Sequence, residues 1–81
     1  EKTEEEKIND GIAFICSRIE NKRADDKYMV DFVAKFSVRN NIPIAEMVKE
    51  LDMRDSESVL KSFERYKGAY EDRIYGYGPE R

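Results

Sequence analysis

Apolar residues recur along this chain at intervals of three and four, and no stretch shows the strict alternation that marks a half-buried strand. That spacing limits the chain to an all-α fold. It is clearest over residues 42–68. There Ile44, Met47, Val48 and Leu51 mark the buried face of a short helix that opens on Pro43, a residue suited to a first turn. Val59, Leu60, Phe63, Tyr66, Tyr70 and Ile74 mark a broader face on a longer helix. Residues 52–55 form the turn between them, with Asp55 or Ser56 as the cap. Gly68 falls inside the longer helix, where it signals a bend, a close helix crossing or an earlier end.

The N-terminal half carries two further helical patterns. Thr3 and Glu6 have capping-box spacing, acids fill the first turn, and Ile8, Ile12, Ile15 and Ile19 follow on one face. Cys16 flanks that face as a buried, inert thiol, while Phe14 points away from it, either packed by another segment or exposed as a contact point. Residues 20–26 read as a loop in which Asp25 or Asp26 caps a second helix over residues 27–40. Its stripe is Met29, Phe32, Val33 and Phe36, with Tyr28 at the edge and Val30 and Val38 off it. Asn40 and Asn41 suit its end, because Asn tolerates the left-handed conformation. Glu57 and Lys61 have the spacing and orientation of a surface ion pair. The expected architecture is a small four-helix bundle over residues 1–75, its third and fourth helices forming a hairpin or a helix-turn-helix-like unit. Residues 76–81 form a tail, either frayed or folded back, or a tyrosine-rich contact segment.

Composition excludes several functional classes. Without histidine the commonest general base near neutral pH is missing, and with a single cysteine the usual zinc sets are missing too. Gly11, Gly68, Gly76 and Gly78 form no phosphate-cradling loop. The expectation is therefore no catalytic residues, no metal and no cofactor. A lone cysteine permits no internal disulfide, which suits a reducing, cytoplasmic setting. No apolar run approaches membrane-spanning length, so no membrane partner is expected. No signal-peptide pattern is visible in these residues, which open on Glu1 rather than Met. The net charge is −3, with eight acids against five bases in residues 1–26 and ten of each in residues 27–81, so no global basic field draws the chain onto a phosphate backbone.

The segment from Val48 to Phe63, extended to Gly68, resembles the second helix-turn-helix of AraC-type transcription regulators over about 20 residues. Met53, Asp55, Val59 and Phe63 fall at the family's spacing, and Arg65 and Gly68 extend it; Asp52 stands where the family usually has glycine. The resemblance implies a DNA-binding helix, used as a dimer, with Arg54, Ser56, Glu57, Ser58 and Lys61 on or near the groove-facing side. Arg54, Ser58, Lys61 and Arg65 are then the DNA-binding candidates. The alternative is a plain helical hairpin.

What remains favours a small non-enzymatic regulatory or adaptor module that binds another protein or itself. Five tyrosines, four of them after residue 65, exceed the needs of a small core. Phe14, Tyr70, Tyr75 and Tyr77 are the candidate contact residues.

Overall fold

The computed structural model describes residues 1–75, and among these there are five helices and no strand. They are α1 (Glu4–Arg18), α2 (Asp26–Met29), α3 (Asp31–Arg39), α4 (Ile44–Val48) and α5 (Ser56–Tyr75). The fold is all-α. No helix among the described residues is long and apolar enough to cross a membrane.

α1 starts where its sequence says it should. Thr3 Oγ1 accepts the Glu6 N–H at 3.2 Å, and Glu6 Oε1 accepts the Thr3 N–H at 3.0 Å. Two otherwise orphaned donors are thereby satisfied. Ile8, Ile15 and Ile19 enter the core, with Ile12 and Cys16 packed at its margin. α1 packs chiefly on α3. Gly11 permits that crossing, since a Cβ there would lie only 3.3 Å from the Ala34 Cβ.

The helix expected over residues 27–40 is two helices. Val30, with φ −93° and ψ 3°, ends α2 and starts α3. The change of direction sends Val30 itself into the core beside Val33 and Ala34, although it lies off the apolar stripe. It leaves Tyr28 74% and Phe32 53% exposed, although both belong to that stripe or its edge. Asp25 makes no side-chain cap. Instead the carboxylate of Asp26, almost wholly buried, accepts the backbone N–H of Arg23 at 2.8 Å.

α3 ends as expected, with Asn41 in the left-handed region at φ 55°. The turn is closed by Ser37 and Ile42: the Ile42 N–H donates to the Ser37 carbonyl at 2.9 Å, and the Ser37 hydroxyl to the Ile42 carbonyl at 2.7 Å. Pro43 caps α4 rather than entering its first turn. α4 contributes Met47 to the core, and tighter turns carry the chain on to buried Leu51. α4 rests on α3 and α1, while α5 meets α2 and, through its rings, α3.

The turn before α5 is held from two sides. The Glu20 and Asn21 N–H groups donate to the carbonyls of Met53 and Arg54, both at 2.9 Å, joining it to the α1–α2 loop. The Ser62 hydroxyl accepts the Asp52 N–H at 2.9 Å, joining it to α5. Asp55 caps α5 by accepting the Ser58 N–H at 2.8 Å. That bond is the main reason its carboxyl is held below the usual aspartate range. Gly68 marks neither a close crossing nor a helix end: α5 runs through it, and nothing lies within 4 Å of where its Cβ would be.

Candidate functional site

Rings on α3 and α5 interlock where the two helices meet. Phe32 and Phe36 are one turn apart on α3, and Phe63, Tyr66 and Tyr70 follow at three- and four-residue steps on α5. Phe63 is fully buried. Phe32 and Phe36 meet it edge to face, with ring centres 5.7 and 5.3 Å away. Phe36 meets Tyr70 edge to face at 5.5 Å, and Tyr70 stacks on Tyr66 at 6.5 Å. Each such pair adds about 0.5–1.5 kcal/mol beyond the area it buries. The rings therefore form one continuous seam.

Burial along this seam is graded. Phe63 lies at its closed centre, Phe36, Tyr66 and Tyr70 are half-buried, and Phe32 is open at one end. One turn beyond Tyr70, Ile74 is 56% exposed, against the expectation that it belongs to the buried face. Partial burial pushes the Tyr66 hydroxyl above the usual tyrosine range, with Arg73 opposing the shift. Tyr66 also lines a groove of about 560 Å³ that has Glu46 of α4 and Glu50 in the turn after it on one side and Arg65 and Arg73 of α5 on the other.

The contact candidates are divided by the fold. Tyr70 is part of the seam. Phe14 is half-buried elsewhere, under the guanidinium of Arg18 at 4.8 Å from its ring centre, beside a groove of about 530 Å³ shared with Ile42 and Ile44. Tyr75 is the last residue of α5, and its side chain lies outside the description. Tyr77 lies outside the described residues, as does the whole tail. Phe32 and Tyr28 were not legible as surface groups, because their exposure follows from the break at Val30.

The four DNA-binding candidates come together. Arg54, Ser58, Lys61 and Arg65 line one small depression of about 180 Å³ with Asp52 and Ser62. Arg54 is not free to meet a phosphate without cost: its guanidinium lies 2.9 Å from the Asp52 carboxylate. That bond lowers the Asp52 pKa and raises that of Arg54. Glu57 and Lys61 form no ion pair among the described residues.

Cys16 is half-buried, and its thiol is pushed above the usual range by burial first and the Asp26 carboxylate second. Both causes disfavour the thiolate, which is the reactive form of a cysteine. Among the described residues no three His, Cys, Asp or Glu side chains are grouped so as to hold a metal ion. No family model, curated protein or solved structure matches the chain.

Proposed function

We propose that this protein is a non-enzymatic interaction module of the reducing cytoplasm that binds protein through the α3–α5 ring seam, in its simplest form another copy of itself. The observation that carries this reading is the graded exposure of the seam, closed at Phe63 and open at Phe32 and Ile74. Aromatic and aliphatic groups left half-covered beside a rigid buried anchor are typical of interface centres, where rings contribute large contact area at low entropic cost. α5 suits a like partner electrostatically. Residues 54–73 carry five bases and five acids, so two such helices meeting in antiparallel fashion need not repel. The small four-helix bundle, with a hairpin or helix-turn-helix-like unit over α4 and α5, belongs to this reading as a proposal. Light scattering over a concentration series tests it: the mass should rise from monomer towards dimer in the micromolar range. A monomeric mass throughout would remove self-association.

The second reading is DNA binding through the helix-turn-helix resemblance, favoured by the clustering of Arg54, Ser58, Lys61 and Arg65. Fluorescence anisotropy with mixed-sequence duplex DNA at low and moderate salt separates the two. Binding that weakens steeply with salt and is lost in Lys61→Ala and Arg65→Ala would move this reading first. No binding at low salt would leave the protein-interaction reading standing.

A further inference from the structure

A second surface runs along the other side of α1. Ala13, Cys16 and Lys27 line both of two adjoining depressions, of about 710 and 370 Å³, so the two continue as one groove between α1 and α2. Its floor is apolar and small, made of Ile12, Ala13 and Cys16, with the Tyr28 ring as one wall. None of these residues belongs to the ring seam.

The charge around this floor has one sign in excess. Lys22, Arg23 and Lys27 stand on its rim, and among the described residues none of the three has a carboxylate within ion-pair distance. The Lys22 ammonium is held over the end of α1 by the carbonyls of Ile19 and Ser17, at 2.6 and 3.3 Å. Lys27 extends over the Tyr28 ring, 5.4 Å from its centre. Of the acids that line the groove, Asp31 is met by Lys35 at 2.9 Å, and buried Asp26 stands as one carboxylate against the three bases of the rim. A chain of net charge −3 thus carries a local cationic rim around an apolar strip.

From this juxtaposition we infer that the α1–α2 groove is a docking site for a short acidic peptide segment of another protein, with one or two apolar side chains seated on Ala13 and Cys16 and carboxylates facing Arg23 and Lys27. Charge complementarity selects the partner, since a basic or neutral segment gains nothing from the rim. Openness selects a peptide over a small molecule. Ala13, Lys27 and Tyr28 are all exposed, whereas a small ligand needs walls that cover most of its surface. From Asn9 to Ser17 the groove follows about 12 Å of α1, room for some two turns of a helix or a few extended residues.

The test is an amide chemical-shift titration of the folded protein with two capped hexapeptides. One reads Asp-Glu-Leu-Leu-Asp-Glu, and the other has every acid replaced by lysine. The acidic peptide should shift the amides of Asn9, Ala13, Cys16, Lys27 and Tyr28, and bind at least about tenfold more tightly than its basic counterpart. The double variant R23E/K27E changes only exposed side chains, so circular dichroism should show an intact fold while those shifts disappear. No groove shifts with acidic peptide on the order of 1 mM would overturn the inference, as would equal shifts with both peptides. Shifts confined to Phe32 and Ile74 would assign the peptide to the seam instead. Groove shifts with decanoate but not with the acidic peptide would assign the site to a small amphiphilic anion, and would equally overturn it.

Discussion

Gly11 and Gly68 each stand inside a helix, and their surroundings are opposite. Gly11 is buried at the α1–α3 crossing, where a single added carbon would press on Ala34. Gly68 has open space around it, on the solvent side of α5 and opposite the face on which Tyr66 and Tyr70 pack. The same residue marks close packing in one place and its absence in the other. The contrast sets a tightly crossed α1–α3 body beside a helix that is buried at Val59 and Phe63 and only partly covered from Tyr66 to Ile74. The seam from Phe63 to Tyr70 joins the two, through the rings of Phe32 and Phe36.

Substitutions can break or sharpen this contrast. The largest loss is expected at the joint itself: Phe63→Ala empties the centre of the seam and should cost about 3–5 kcal/mol in denaturant unfolding. Next comes Gly11→Val, which forces a branched side chain against Ala34 and should cost about 2–3 kcal/mol, with loss of the sharp amide dispersion of a packed core. Thr3→Ala removes one half of the α1 capping box and should cost about 1 kcal/mol. Gly68→Ala should move the other way, stabilising by about 0.5–1 kcal/mol, because the added methyl meets nothing and the helix loses its most flexible residue. If Gly68→Ala destabilises while Gly11→Val is tolerated, the division between a crossed body and an open helix is wrong. Smallest in stability is Ile74→Ser, within about 0.5 kcal/mol, because the side chain is already mostly in water; its effect should appear in association instead.

The cap of α5 adds a dependence on pH. Asp55 has its pKa lowered by its bonds to Ser58, so its contribution is present above the unfolded-state value and fades as pH falls through the lower folded-state one. Acid titration followed by the Ser58 amide should report that loss before global unfolding.

Much of the fold was legible in the sequence because it rests on local rules. The capping box at Thr3 and Glu6, the isoleucine stripe of α1, the left-handed stop at Asn41 and the Asp55 cap each depend on residues a few positions apart. The break at Val30 was not legible, since no proline or glycine marks it and its reward is tertiary: one more buried valine in the core. An unbroken helix over residues 27–40 would place Phe32 in the interior and Tyr28 at its edge. The packing role of Gly11 is hidden in the sequence for a related reason. Its role depends on Ala34, 23 positions away in sequence, and no local pattern pairs them. The candidate contact residues show the same division. Tyr70 could be named from its helix face, whereas the cationic rim at Arg23 and Lys27 comes from a loop and a short helix brought against α1 by folding.

The most direct test of the seam as an interaction surface is sedimentation velocity of the natural chain beside the double variant F32S/I74S, each over a concentration series. Both substitutions sit at exposed ends of the seam, so the variant should remain folded. The natural chain should show a sedimentation coefficient that rises with concentration, and the variant a constant monomer value. If the two chains sediment identically at every concentration, the seam is only a margin of the core and the account is contradicted.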